Sequence, residues 1–232
     1  AESYGYFIVR CSMTSDYNNI YLQDNAFAGA VISGGFVGGG TSRYQTVSAW
    51  QREQNQDTNS KTMEPRFVNA DSGDFHLRSS SGRYLPGYGW TNDGIQDSAY
   101  IIDCGDPRSV YTNEHAPNGG IINVDMYGNS WQASKTPTNG WLVIITPNKG
   151  SSVLGTNVAM QWFAGWSATG HVLKLEYSGD GGVTWTNIFS NSPPGVTHYV
   201  WDSTNYGKSA TAKWRITSAS DPSISATNTG YF

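Results

Sequence analysis

No stretch of this chain repeats apolar residues at a 3.6-residue spacing over three turns, which confines helix to short pieces. Short runs of β-branched and aromatic residues recur instead, broken by Gly, Asn and Asp. Tyr6-Phe7-Ile8-Val9, Ile20-Tyr21-Leu22 and Ala30-Val31-Ile32 are examples. Such residues suit the pleated, half-buried surface of a strand, and the breaks mark turns. Only Gln45 to Gln54 resembles a helix, and it is short. The early runs return at irregular intervals of roughly 10–25 residues, which suits a coiled solenoid better than evenly spaced hairpins. Asn25, ahead of Ala26-Phe27, fits a turn position in the left-handed region.

Composition narrows the class. Charged residues make up 14% of the 232 residues, against roughly 25% in an ordinary domain. Aromatics reach 13%, and the net charge is only −4, so the chain lacks the signature of disorder. An acidic balance without a Lys/Arg cluster argues against nucleic acid or an anionic membrane as partner. No apolar run approaches the roughly 20 residues that span a bilayer. Ala1 in place of Met points to a longer precursor or a trimmed chain. Abundant Gly, Asn, Ser, Thr, Tyr and Trp with little charge fits an extracellular, secreted or cell-surface β-protein. Cys11 and Cys104 are too few for a disulfide framework, and two buried thiols are favoured over a single bridge.

From Glu64 to Ser134 distinctive elements accumulate. They are Glu64-Pro65-Arg66-Phe67-Val68-Asn69, Gly73-Asp74-Phe75-His76-Leu77-Arg78 and Gly82-Arg83-Tyr84. Ile102-Asp103-Cys104-Gly105-Asp106-Pro107, Pro117-Asn118-Gly119-Gly120, Ile122-Asn123 and Tyr127-Gly128-Asn129 follow. In these the chain resembles the C-terminal end of secreted bacterial right-handed parallel β-helix proteins. Ser98-Ala99-Tyr100 and Cys104 depart from that family's pattern. The resemblance implies β-helix coils and a cap over 1–137 and says little about activity.

Thr136-Pro137-Thr138-Asn139-Gly140 is a breaker cluster and sets the boundary. Beyond it, His171 to Ser178 alternates strongly, Gly179-Asp180-Gly181-Gly182 reads as a hairpin turn, and about seven short strands follow one another. Tyr177-Ser178, Asp180-Gly181-Gly182, Thr184-Trp185, Tyr199-Val200-Trp201 and Trp214-Arg215-Ile216 resemble the immunoglobulin-like modules of bacterial secreted proteins. The fold class expected is therefore all-β, with a short right-handed parallel β-helix and cap at 1–137 and an Ig-like sandwich at 138–232.

Catalytic constellations are missing. The four histidines are scattered, no Gly-x-Ser-x-Gly elbow occurs, and no Cys/His spacing suits zinc. Arg43, Arg52 and Lys61 would suit a uronic acid, but nothing pairs them. Calcium is the one cofactor to weigh, with Asp71, Asp74 and Asp93 as candidates beside Asp103 and Asp106. Asx-turns account for the same residues and are favoured.

Trp162, Trp185, Trp201 and Trp214 sit at strand positions and read as core; Tyr84 and Trp90 read as part of the cap. Trp50, Tyr88, Trp131 and Trp166 fit neither pattern, so they are the candidates for glycan or partner contact. Tyr4, Tyr6, Phe7, Ile8 and Val9 enter directly as strand, without a cap, and form a candidate assembly edge. The expectation is a non-catalytic surface or matrix protein that contacts further domains or copies of itself, head to tail, as a filament. A carbohydrate-binding module and a fragment of a β-helix lyase or hydrolase are the alternatives.

Overall fold

A computed structural model describes residues 3–33, 40–92, 94, 97–148 and 156–232. The chain divides into two compact units, Ala1–Pro137 and Thr138–Phe232. It is all-β, with one α-helix among the described residues. No described helix is long and apolar enough to cross a membrane.

In the first unit, β1 (Tyr4–Val9) runs parallel to β2 (Phe27–Ser33), pairing Tyr4 with Phe27 through Val9 with Ile32. The β3 strand (Gly40–Tyr44) returns antiparallel on the other side of β2. A second parallel contact is the bridge Asn19 to Lys61. Parallel pairing among the described residues is limited to this strand pair and this bridge, and no sheet among them closes into a helix, so the fold shown is all-β without the coils expected from the irregular runs. Strand propensity marks which segments extend; it does not select their partners. The left-handed residue of the turn before β2 is Asp24, with φ 53°, rather than Asn25.

Helix α1 (Val47–Gln54) falls where the sequence has its one helical stretch. Thr46 caps it by accepting from the Ala49 amide, and Asn55 ends it in the left-handed region at φ 52°. Its Trp50 is wholly buried. The indole stacks on Tyr6 at 5.1 Å between ring centroids and meets Tyr44 edge-on at 5.5 Å. It lies so close to β2 that a Cβ on Gly29 would come within 2.5 Å of the ring. Ile20, Ala28 and Val47 complete this small core.

Below it, Asp57 is fully buried and binds the unit's segments together. Its Oδ2 accepts from Trp50 Nε1 at 2.9 Å. Its Oδ1 accepts from Ser60 Oγ at 2.7 Å, Asn18 Nδ2 at 2.8 Å, Ser15 Oγ at 3.1 Å and Tyr6 OH at 3.3 Å.

Two small antiparallel pairs follow: β4 (Phe67–Asn69) with β5 (Asp74–Leu77), and β6 (Arg83–Leu85) with β7 (Gly89–Thr91). Residues 97–137 contain no strand. Polar side chains hold this region by bonding to backbone. Ser134 Oγ donates to Leu77 O at 2.6 Å, Ser79 Oγ to Lys135 O at 2.6 Å, and Asn123 Nδ2 to Ser134 O at 2.8 Å.

The second unit has two antiparallel sheets. One contains β8 (Trp141–Thr146), β9 (Asn157–Gly165) and β12 (His198–Asp202), in the order β12-β9-β8. The other contains β10 (Leu173–Ser178), β11 (Thr186–Ser192), β13 (Lys213–Ser218) and β14 (Ser225–Thr227), in the order β11-β10-β13-β14. One apolar cluster draws Leu142, Met160, Trp162 and Trp201 from the first sheet and Leu175, Trp214 and Ile216 from the second. Trp185 lies outside the strands and is half-buried under the Arg215 guanidinium, 4.4 Å away, so it is not the core residue its position suggested. Glu176 is buried on β10 between Lys174 and Arg215, each 2.7 Å away.

Two substitutions test the first unit's core. Gly29→Ala drives a methyl into the Trp50 ring and should cost about 1–3 kcal/mol. Asp57→Ala strands several buried donors and should cost about 3 kcal/mol or more. Gly40→Ala, where a Cβ meets nothing within 4 Å, should stay within about 0.5 kcal/mol of the parent. Urea unfolding followed by circular dichroism reads all three.

Candidate functional site

Four features of the first unit offer themselves as a site. The first is β1, an edge strand of the β1-β2-β3 sheet. Its alternation is clear: Tyr6 and Ile8 pack into the core, while Phe7 is 58% and Val9 46% exposed. Tyr4 stacks on Phe27 at 5.3 Å and accepts from Arg43 Nε at 3.1 Å. Of the five edge residues expected from sequence, Phe7 and Val9 therefore form the apolar outer face, and Tyr6 and Ile8 belong to the interior. A cavity of about 410 Å³ borders the strand, lined by Tyr4, Tyr6, Asn18, Ile20 and Leu22.

The second feature is an aromatic group spread over β5, β6, β7 and the region after them. Trp131, 54% exposed, stands edge-on to Tyr84 at 4.7 Å. Trp90 meets His115 edge-on at 4.9 Å, and the Lys135 ammonium sits 4.7 Å above its ring. His76 stacks on Tyr127 at 3.8 Å. Tyr88, in the β6–β7 turn, is 86% exposed.

The four contact candidates thus separate. Tyr88 and Trp131 are exposed. Trp50 is not: its flat ring fills the space over Gly29, and its indole N–H is spent on Asp57. Trp166 is half-buried in the second unit, edge-on to Trp141 at 6.0 Å. Sequence spacing has no signal for Trp50, because a short helix leaves its inward face undetermined.

The third feature is an open cleft of about 1010 Å³ lined by Tyr21, Asp24, Glu64, Arg66, Arg78 and Asp97, among others. Its cations are engaged. Arg78 pairs with Asp97 at 3.1 Å, and Arg66 donates to Ser98 O at 3.0 Å while covering the Tyr100 ring at 4.2 Å.

The fourth was not assembled from sequence. Asp103, Glu114 and Asp125 come from separate positions of the strand-free region, and their carboxyls titrate abnormally high. Burial pushes Asp103 up to about 7; the facing Thr136 hydroxyl opposes the rise and the Glu114 charge adds to it. Burial pushes Asp125 up to about 7 as well, opposed by the Tyr127 amide and aided by Glu114. Glu114 is raised by burial, against the amides of Asn129 and Asn123. No Lys or Arg among the described residues forms a salt bridge with any of the three.

The remaining polar groups are committed to local structure. His76 Nδ1 contacts Asp74 Oδ1 at 2.6 Å, and Asp74 Oδ2 lies 3.7 Å from Arg83. His171 Nδ1 meets Ser218 Oγ at 2.9 Å, but Ser218 is buried and caps the Asp221 amide. Cys11 is exposed rather than buried, because β1 ends at Val9. Both cysteines are free; burial pushes the Cys104 thiol up to about 12.

Of the calcium candidates, Asp71 lies on an exposed 3₁₀ turn whose Asn69 side chain accepts from Ser72 N. Asp74 is taken by His76 and Arg83, and Asp93 falls outside the described residues. Among the described residues no three His, Cys, Asp or Glu side chains group as a metal cage. Comparison with protein-family models, curated proteins and solved structures finds no match.

The raised carboxyls set a pH dependence. A folded pKa above the unfolded value, 3.8 for Asp, gives stability that is complete below that value and lost as pH rises through about 7. Glu176 and Asp16, held low, act only on the acid side. In chelator-treated buffer the melting temperature should fall between about pH 5 and pH 8, and Asp125→Asn should flatten the slope. Differential scanning calorimetry reads it; a parent melting temperature that rises across that window contradicts the assignment.

Proposed function

We propose that this chain is a non-catalytic, extracellular surface or matrix protein of bacterial type that works by protein–protein contact through β1. In this reading residues 1–137 are the end of a right-handed parallel β-helix and 138–232 an immunoglobulin-like module. The parallel β1–β2 pair and the Asn19–Lys61 bridge support the first, and seven antiparallel strands in two sheets around one core support the second.

The observation that carries the function is the edge position of β1 together with exposed Phe7 and Val9. An edge strand presents backbone donors and acceptors to any strand that arrives, and proteins normally protect such edges with charge, Pro or a bulge. Here the outer face is apolar. The occupant is a second copy, its β3 edge meeting β1 head to tail. A heterologous contact of this kind does not close and repeats into a filament.

Sedimentation velocity over a concentration series tests this. The parent chain should give species that grow with concentration, and Phe7→Lys with Val9→Lys should return it to a monomer near 25.3 kDa. A parent that stays monomeric at high concentration overturns the reading.

Exposed Trp131, braced by Tyr84, and Tyr88 favour a second reading, binding of polysaccharide. Flat aromatic faces stack on sugar rings, and two such faces on turns are accessible to a chain of them. In affinity electrophoresis, Trp131→Ala with Tyr88→Ala should abolish retardation by a polysaccharide that retards the parent. Unchanged retardation removes these residues from any glycan site.

A further inference from the structure

Six buried side-chain oxygens in the strand-free part of the first unit lack a hydrogen bond of good geometry, the Thr136 hydroxyl and the Asp103 carboxylate among them facing each other. They are Oδ1 and Oδ2 of Asp103, Oε2 of Glu114, Oδ2 of Asp125, Oδ1 of Asn129 and Oγ1 of Thr136. Five of the six can only accept when the carboxyls are ionised. Buried polar atoms are normally paired, and an unpaired ionised carboxylate is among the most expensive groups to bury. Six within 34 residues is a concentration that needs a counterpart.

The local hydrogen bonds show how the group is held. Glu114 is only 5% exposed, and its Oε1 accepts from the Asn123 amide at 3.0 Å and the Asn129 amide at 2.8 Å. That fixes the carboxylate inside the loop carrying Asp125 and Asn129 and leaves Oε2 unpartnered. Asp125 is pinned in the same way: Oδ1 accepts from the Tyr127 amide at 3.0 Å, and Oδ2 is unpartnered. Each carboxylate is thus anchored by one oxygen to backbone and presents the other. Asp103 packs on Gly119, whose Cβ would fall 2.2 Å from Oδ2, and its amide donates to Asn123 Oδ1 at 2.9 Å. Asn123 therefore links the Asp103 and Glu114 segments.

From this arrangement we infer that the loop is a binding site for one hard divalent cation, calcium by its ligands. Glu114 and Asp125 supply the carboxylate oxygens and Asn129 the amide oxygen. Calcium takes six to eight oxygen ligands from carboxylates, amide and backbone carbonyls and water in a flexible geometry, whereas magnesium demands a near-ideal octahedron. Two carboxylates with an amide oxygen fall short of a three-acid cage, so backbone carbonyls and water complete the shell. Asp103 contributes charge beside the site. The function of such an ion is structural: it replaces the strands that residues 97–137 lack. The inference is independent of the reading of β1.

The full chain, freed of metal with EDTA, is titrated with calcium chloride alone at pH 7.5. With calcium at ten times its dissociation constant, the melting temperature should rise by roughly 3–6 °C. The constant should lie at roughly 10⁻⁴ to 10⁻³ M, as for extracellular modules, and magnesium should be weaker. Terbium should bind with emission sensitised through Tyr127 and be displaced by calcium. Asp125→Asn should keep the parent's circular dichroism and lose both responses; Glu114→Gln is the second variant, should Asp125→Asn fail to fold. Melting curves identical in calcium and EDTA, with no terbium emission, overturn the site. So does a calcium response that survives in a folded Asp125→Asn or Glu114→Gln chain.

Discussion

The first unit depends on one contact, the Trp50 indole donating to the buried Asp57 carboxylate. It joins the only described α-helix to the loop after it, and the same carboxylate gathers Ser15, Asn18 and Tyr6 from the preceding segments. Without it the β1–β2–β3 sheet would have little to pack on, because the apolar cluster around Trp50 is small. Three strands and one short helix cannot bury enough surface to stabilise a domain by area alone. Polar connections therefore do in this unit what interdigitated sheets do in the second. There, Trp162, Trp201 and Trp214 sit among aliphatic side chains from both sheets, and the ion pairs of Glu176 lie at the margin.

That difference explains what could be read from the chain. In the second unit the period-two alternation puts Leu173, Leu175 and Tyr177 on the core face, although Glu176 and Ser178 on the opposite face are buried too. The boundary cluster at 136–140 coincides with the division at Pro137 because Pro and Gly interrupt strands wherever they fall. In the first unit the runs of β-branched and aromatic residues mark β1 and β2, but the run Ile20-Tyr21-Leu22 forms no strand and the return of β3 carries no such run. Pairing direction is set by the turn between strands, and no periodicity encodes it. The inward position of Trp50 is hidden in the sequence for a related reason. One Trp on a two-turn helix has no repeat to reveal its inward face; the informative residue was Gly29, which leaves room for the ring.

Of the acid group only Asp103 stands out in the sequence, beside Asp106; nothing there joins it to Glu114 and Asp125. Asp103, Glu114 and Asp125 stand about ten residues apart, and each has an innocent local reading as a turn residue. Only the fold of a region without strands brings them into one electrostatic neighbourhood. The signal that existed was the density of Asn, Asp and Gly between 103 and 129, which marks tight turns and ligand loops alike.

Set beside each other, the two buried acidic sites of this unit are an internal control. Asp57 shows how the chain treats a carboxylate meant to stand alone: both oxygens are occupied, with donors from β1 (Tyr6), the loop at 15–18 (Ser15, Asn18), its own turn (Ser60) and the helix (Trp50). Glu114 and Asp125 are each given backbone donors on one oxygen only. Had the loop been selected simply to bury them, a Ser, Asn or Tyr placed as around Asp57 would have been enough, and Ser130 and Tyr127 are close by in sequence. The half-donated arrangement suits the proposed cation, since the backbone donors orient each carboxylate and leave its other oxygen open to a metal. The same logic accounts for the lack of strands between 97 and 137. A loop stapled to an ion does not need a ladder of backbone hydrogen bonds, and it can carry Trp131 edge-on against Tyr84 of β6.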